Sequence, residues 1–155
     1  MNLMQNKRGT IYRGLVMDTK QYLQQSFWLD QQIQADQLEL QRLRELAESI
    51  MPAVLTGQRA IRGANDRLSK AVAEIVDLEN EINDKVIMLV TLKRLIREQI
   101  DGIDDARYRL LLQKRYLNFD RFEQIAVDMN YSFRNIMRMH KKALNSFKSC
   151  HSMSH

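Results

Sequence analysis

Residues 122–139, FEQIAVDMNYSFRNIMRM, decide the fold of the last third of this chain. They present a small residue, Ala126, then the turn-forming Asn130, then the aliphatic Ile136. A small side chain lets a second helix lie close to the first, and asparagine tolerates the left-handed backbone of a tight turn. Ser132 is a good amino-terminal cap for the helix that follows. This spacing predicts a helix-turn-helix.

The second helix of this stretch is expected to be apolar on one side and basic on the other. The apolar side of the two helices is supplied by Ile125, Met129, Tyr131, Ile136 and Met139. After Ser132 the charged residues are all basic, namely Arg134, Arg138, Lys141, Lys142 and Lys148. A helix with these two sides fits the major groove of DNA, so the sequence predicts double-stranded DNA as a partner.

Different roles are expected for the residues of this basic surface. Arg134 and Arg138 lie one helical turn apart and are suited to read guanine, and Asn135 is suited to adenine or a phosphate. Residues at helix starts and farther along the second helix are expected to contact the sugar-phosphate backbone. The predicted DNA-binding residues are Arg121, Ser132, Phe133, Arg134, Asn135, Met137, Arg138, His140, Lys141 and Lys142. The alternative is that these charges only solvate a helix exterior.

The composition of the 155 residues favours an all-α class. Five glycines and one proline are too few for a turn-rich β architecture, whereas good helix formers are abundant. The single cysteine, Cys150, cannot form an internal disulfide and suits a reducing cytosol. No apolar run approaches the roughly 20 residues that cross a bilayer, and residues 1–17 lack the core of a signal peptide. We therefore expect a soluble protein in the cytoplasm of a bacterial host cell, with no membrane partner.

The net charge of +5 is confined to one end of the chain. Residues 1–103 contain 14 Lys and Arg and 14 Asp and Glu, whereas residues 104–155 contain 10 and 5. All of the excess positive charge therefore falls in the segment that carries the motif. This distribution favours contact with phosphates.

Two long helices are predicted ahead of the motif. Residues 1–16 form a weakly patterned basic lead that we expect to be flexible. Residues 18–50 contain neither proline nor glycine and predict one helix, and Pro52 then indicates a connecting loop at residues 51–65. A second helix is expected at residues 66–101. Together, residues 17–103 are predicted to form an antiparallel helical hairpin.

Both long helices carry rows of apolar residues at coiled-coil spacing. In the second helix, leucine or isoleucine recurs at every seventh position from Leu68 onward. Asp36 interrupts the row of the first helix, either as a solvated residue at its edge or as a polar register device. The hairpin should retain apolar surface for a second hairpin, most simply in a twofold homodimer. The residues predicted for oligomerisation are Leu29, Ile33, Leu40, Leu43, Leu68, Ile75, Ile82, Leu89 and Ile96.

A three-helix DNA-binding domain is predicted at residues 104–148. Its supporting helix should span residues 106–117, after Asp104 and Asp105 as caps, and the first helix of the motif should span residues 121–129. Residues 149–155 are expected to be a disordered tail.

Several short stretches resemble the fourth conserved region of bacterial sigma factors, which reads the −35 promoter element through its last helix. These stretches are Arg115-Tyr116-Leu117, residues 122–126, Tyr131-Ser132 and Ala143-Leu144. Residues 17–147 resemble more specifically a family of small regulators from phages and mobile elements of Gram-positive bacteria, late-operon transcriptional activators. The segment Asp77-Leu78-Glu79-Asn80-Glu81-Ile82-Asn83 is also typical of that group.

This resemblance implies a sequence-specific transcription regulator, an activator at promoters, with RNA polymerase as a further partner. Asn130 stands where the family usually has glycine. Two alternatives stay open: a small terminase subunit of a DNA-packaging machine, and a protein–protein module that grips RNA polymerase instead of DNA.

Enzymatic chemistry is not expected. The chain has no glycine-rich phosphate cradle and no evident pairing of a nucleophile with a base. Cys150, His151 and His155 form no closed set of metal ligands on a terminal tail, so neither a metal nor another cofactor is predicted.

Overall fold

The computed structural model describes residues 18–56 and 63–152. Within these ranges the chain forms five helices and no strand, which confirms the all-α class. The helices are α1 (Thr19–Leu55), α2 (Ala64–Asp101), α3 (Ala106–Tyr116), α4 (Phe122–Asp128) and α5 (Phe133–Ser152). No helix in the described part of the chain is long and apolar enough to span a membrane. The extension expected at residues 1–16 lies outside the described residues.

Helix α1 continues past Pro52, where a loop was predicted. Proline lacks the backbone N–H, but its carbonyl still accepts hydrogen bonds. The Pro52 carbonyl accepts from the backbone N–H of Thr56 at 3.0 Å and from the Thr56 hydroxyl at 2.9 Å. The helix therefore ends at Leu55 and not at Ile50.

Helix α5 also runs farther than predicted, to Ser152, so residues 149–152 are helical and not a disordered tail. The ring of His151 lies 4.5 Å from the ring of Phe147, measured between centroids. His151 Nε2 lies 3.2 Å from the carbonyl oxygen of Gln99. These contacts hold the last turn of the helix in place.

The chain forms two compact units, and their boundary differs from the predicted one. One unit comprises residues 29–90, and the described part of the other comprises residues 18–28 and 91–152. The first turns of α1 and the last turns of α2 therefore belong with α3, α4 and α5, and not with a separate hairpin domain. The reason is a shared core, to which the long helices contribute Leu23, Ile96 and Ile100, and the segment after α2 contributes Ile103.

In the unit of residues 29–90, the segments of α1 and α2 run antiparallel. Arg44 Nη2 lies 2.6 Å from Glu79 Oε1, and Lys85 Nζ lies 2.5 Å from Asp36 Oδ2. As the residue number rises in α1 from 36 to 44, that of its partner in α2 falls from 85 to 79. Asp36 is thus neither simply solvated nor unpaired: its carboxylate binds a lysine across the two helices.

The rows predicted for oligomerisation pack inside a single chain. Ile33, Leu40 and Ile82 are buried together, and Leu29, Ile75 and Leu89 pack against them. Leu43 and Leu68 are half-buried, and Ile96 belongs to the core of the other unit. Heptad spacing is the same for a seam within one chain as for a seam between two chains, so the packing of these residues inside one chain accounts for their spacing without a second copy. Their role in a dimer stays a prediction.

In the unit that contains α3, α4 and α5, these three helices pack against one another. The core residues that these helices and the carboxy-terminal cap of α3, Leu117, contribute are Leu111, Leu112, Tyr116, Leu117, Ile125, Ala126, Ile136, Ala143 and Phe147. The buried hydroxyl of Ser26 in α1 donates a hydrogen bond to the carbonyl of Tyr116 at 2.9 Å. This core fixes the positions of α4 and α5.

Candidate nucleic-acid interface

The turn between α4 and α5 has the geometry that the sequence predicted. Asn130 has a φ of 58°, in the left-handed region that few residues other than glycine adopt. Its N–H donates to the Val127 carbonyl at 3.1 Å, and the N–H of Tyr131 donates to the Ala126 carbonyl at 2.9 Å. Ala126 is buried in the core that α4 and α5 share. The predicted roles of Ala126 and Asn130 in the turn are confirmed.

Ser132 caps α5, as predicted. Its hydroxyl oxygen accepts a hydrogen bond from the N–H of Asn135 at 3.3 Å. Its carbonyl accepts from the N–H groups of Asn135 at 2.9 Å and Ile136 at 3.0 Å. The cap fixes the first turn of α5, where the predicted base-reading residues begin.

Helix α5 is amphipathic. Ile136, Ala143 and Phe147 are buried on one side, with Met139 packed against the same core. The other side carries the predicted DNA-binding residues that are exposed, namely Phe133, Arg134, Asn135, Arg138, Lys141 and Lys142. Met137 is half-buried, and Ser132 and Arg121 are exposed at the starts of α5 and α4. Since no acidic residue follows Ser132 in the sequence, this side has uniformly positive formal charge.

His140 does not join this surface, which corrects the expectation that it contacts phosphates. It is only 6% exposed. Its Nε2 lies 2.9 Å from the hydroxyl of Tyr116, and the ring of Phe122 meets its ring edge-on. Burial, together with the charges of Lys20 and Arg115, lowers the pKa of His140 to about 4. The imidazole is therefore neutral at pH 7 and cannot neutralise a phosphate.

The spacing of His140 relative to the apolar residues of α5 could have indicated its burial from the sequence. His140 follows Ile136 by four positions and precedes Phe147 by seven, which places all three on one side of a helix.

The structure adds Arg107 of α3 to the basic surface. A cleft of about 220 Å³ is lined by Arg107, Tyr108, Tyr131, Asn135, Arg138, Met139 and Lys142. Three cations from two helices thus surround one depression beside the exposed side of α5. Nothing local in the sequence marks Arg107, because only the packing of α3 against α5 brings it there.

Arg107 is oriented by its neighbours. Asp105 caps α3 by accepting from the N–H of Arg107 at 2.8 Å, and its other carboxylate oxygen lies 2.8 Å from Arg107 Nη2. These hydrogen bonds lower the pKa of Asp105 to about 2. The Asp105 carboxylate, followed by the Tyr131 hydroxyl, raises the pKa of Arg107. The guanidinium stays charged and is directed to the cleft that Tyr131 also lines.

A second and wider hollow lies at the turn itself. Its lining residues are Glu123, Ala126, Val127, Asn130, Tyr131, Ser132 and Phe133. Val127 and Phe133 are large apolar side chains that remain exposed there. Apolar side chains at the start of a groove-binding helix can contact thymine methyl groups, or they can contact a protein.

Within residues 18–56 and 63–152, no cluster of three or more histidine, cysteine, aspartate or glutamate side chains could hold a metal ion. Comparisons with protein families, with curated proteins and with solved structures find no match to this chain.

Proposed function

We propose that this protein is a sequence-specific DNA-binding transcription regulator that inserts α5 into the major groove. The observation that carries the proposal is the two-sidedness of α5: its apolar side is buried in the core, and its exposed side presents only basic charge. In this proposal α4, the turn at Asn130 and α5 act as a helix-turn-helix, α3 supports them, and the long helices form a hairpin ahead of them.

Arg134 and Arg138 are the proposed base readers. Both are exposed, and they lie one turn apart on the side opposite Ile136. A bidentate contact of arginine with guanine is the commonest specific contact in the major groove and discriminates against the wrong base by about 1–3 kcal/mol. Asn135 adds a contact to adenine or to a phosphate.

The remaining cations are proposed to hold the phosphate backbone. Lys141 and Lys142 lie farther along α5, and Arg107 reaches the same cleft from α3. Arg121 and Ser132 lie at the helix starts, where backbone N–H groups also favour anions. Contacts of this kind set the register of the protein on DNA without reading sequence.

The resemblance to sigma-like regulators of phages and mobile elements supports an activator. A sigma-like unit bound near a promoter would recruit RNA polymerase or substitute for part of the polymerase holoenzyme. We further propose that the protein acts as a homodimer in the cytoplasm of a bacterial host cell.

The decisive experiment is a salt-titrated binding assay with the DNA that flanks the protein's own gene, followed by footprinting. Binding should weaken steeply as salt rises, and the footprint should be confined to a defined site. The variant Arg134→Ala/Arg138→Ala should lose the footprint. The control Arg42→Ala/Arg67→Ala removes the same charge from exposed positions in the unit of residues 29–90 and should keep it. An unchanged footprint in the first variant would contradict the groove assignment.

A second candidate is a module that binds RNA polymerase without DNA, and the exposed Val127 and Phe133 beside the turn favour it. The same titration separates the two, since binding through an apolar hollow depends weakly on salt. A Val127→Ser variant that loses polymerase binding while the wild type shows no DNA footprint would support this second function. A ring of eight to twelve copies would favour the small terminase class.

A further inference from the structure

A second row of residues on α2 lies beside the row that packs against α1, and its four valines are exposed. The row consists of Val72, Val76, Glu79, Asn83, Val86 and Val90, which we call the valine face. Its steps alternate between four and three residues, as in a coiled-coil seam. The four valines are 47%, 49%, 39% and 64% exposed, in chain order. The row that packs against α1 is a different one and contains Ile75, Ile82 and Leu89.

The valine face is symmetric about residue 81. Val72 and Val90 lie equally far from that point, as do Val76 and Val86, and as do Glu79 and Asn83. A surface with this order is complementary to itself under a twofold rotation perpendicular to the helix. In a twofold dimer the two subunits meet through the same surface patch, so that patch must be complementary to itself.

We propose that the valine face is the interface of a homodimer in which the α2 helices of two copies run antiparallel. Val72 then packs against Val90 of the second copy, and Val76 against Val86. Residues 72–90 of each copy extend over about 28 Å, so the contact comprises several layers of side chains. The inference specifies the homodimer of the proposed function but does not rest on DNA binding, because it concerns assembly in the absence of DNA.

The polar residues of the valine face select the antiparallel orientation. In a parallel pairing, Glu79 would oppose Glu79 of the other copy inside the seam, which is unfavourable. In the antiparallel pairing, Glu79 faces the amide of Asn83, which can donate a hydrogen bond to the carboxylate. Arg44 Nη2 of the same chain lies 2.6 Å from Glu79 Oε1 in either orientation, so the preference for the antiparallel pairing comes from the hydrogen bond between Glu79 and Asn83. The other acidic residues of this stretch of α2 lie off the valine face, namely Glu74, Asp77, Glu81 and Asp84.

Disulfide cross-linking without DNA tests both the surface and the orientation, in a Cys150→Ser background. The double variant Val76→Cys/Val86→Cys should form covalent dimers, because each new cysteine meets its counterpart from the other copy within disulfide reach. Neither single variant should cross-link, since two cysteines at position 76 would lie about 15 Å apart along the antiparallel helices. Cross-linking by Val76→Cys alone would establish a parallel pairing and overturn the proposal. Absence of cross-linking in all three variants would also overturn it.

The mass in solution provides a second readout. The wild-type protein should be a dimer by light scattering at tens of micromolar, and Val76→Glu should be a monomer with an unchanged helical circular dichroism spectrum. The control Leu38→Glu changes a residue of α1 that is 52% exposed and should leave the dimer intact. A monomeric wild type, a larger ring, or a dimer that survives Val76→Glu would each overturn the valine face as the interface.

Discussion

The hydroxyl of Tyr116 on α3 lies 2.9 Å from Nε2 of His140 on α5, and both side chains are buried. Burial raises the pKa of Tyr116 to about 12 and lowers that of His140 to about 4. Both groups are therefore neutral at pH 7. Their hydrogen bond joins the supporting helix to the basic helix at the level of its second turn.

The protein should become less stable between pH 6.5 and pH 4 because of His140. In this window the unfolded chain takes up a proton on His140, whose ordinary pKa is near 6.5, while the folded chain does not. The free energy of unfolding should therefore fall with falling pH, by about 1–3 kcal/mol in total, and stay level above pH 7. Urea unfolding at a series of pH values measures this dependence.

The variant His140→Gln is the control for this effect, because glutamine keeps a polar partner for the Tyr116 hydroxyl but does not titrate. Its stability should be nearly flat over the same window. Asp105, whose pKa is lowered from 3.8 to about 2, loses its contribution to stability mainly below pH 4, outside most of this window. An equal slope in the variant and the wild type would assign the effect to another group.

Substitution at Asn130 should depend on backbone conformation and not on the lost amide. Its φ of 58° suits glycine, so Asn130→Gly should be neutral or stabilising. Asn130→Val should destabilise the protein by about 1–2 kcal/mol, since a β-branched residue is strained in this region. Thermal unfolding of the two variants checks the difference, and equal losses would contradict the role of the turn.

Ser26 should contribute measurably to stability through its hydrogen bond to the Tyr116 carbonyl. Ser26→Ala leaves that buried acceptor without this donor and should cost about 1–2 kcal/mol. The matched control is Ser49→Ala, because the exposed Ser49 hydroxyl donates only to the Leu46 carbonyl of its own helix. Chemical denaturation should separate the two variants. Equal stabilities would show that the contact of Ser26 with Tyr116 adds nothing.

Arg138 and Lys142 should affect DNA binding differently, although both line the cleft beside α5. Arg138→Ala should cost about 1–3 kcal/mol of discrimination at one or two base pairs. Lys142→Ala should weaken binding to all sequences alike and reduce the slope of log affinity against log salt by about one. Binding to a set of single-base operator variants at several salt concentrations measures both effects. If Lys142→Ala changed base preference, the two roles would have to be exchanged.

Arg107→Ala should resemble Lys142→Ala, since its guanidinium reaches the same cleft from α3. Arg67→Ala, at an exposed position of α2 in the other unit, removes the same charge as a control. Salt-titrated binding should show a reduced slope for Arg107→Ala only. Wild-type affinity and slope in Arg107→Ala would exclude the cleft from the interface.

Local signals in the sequence were sufficient for most helices and for the turn. The absence of proline and glycine predicted α1 up to Ile50, and Asn130 and Ser132 predicted where α4 gives way to α5. These features depend on backbone preferences of a few neighbouring residues, which the sequence displays directly. Pro52 did not end the helix where predicted, because α1 continues only three residues beyond it to Leu55 and the Pro52 carbonyl still accepts hydrogen bonds from Thr56.

The candidate site was only partly visible in the sequence. The exposed residues of α5 follow from its spacing and from the lack of acidic residues after Ser132. His140 was assigned by its chemistry and not by its position on the helix, and it is buried. Arg107 could not be found, since it lies 31 positions before Arg138 and meets it only through helix packing.

The sequence by itself determined the all-α class, the turn at Asn130, the cap at Ser132 and the basic composition of α5. Each of these follows from side chains acting on their own backbone or from a charge count. Only the tertiary structure decided that the heptad rows close within one chain, that the ends of α1 and α2 join the core of α3, α4 and α5, and that His140 is neutral. Burial and partner choice depend on contacts between distant segments, and the same spacing is compatible with several of them.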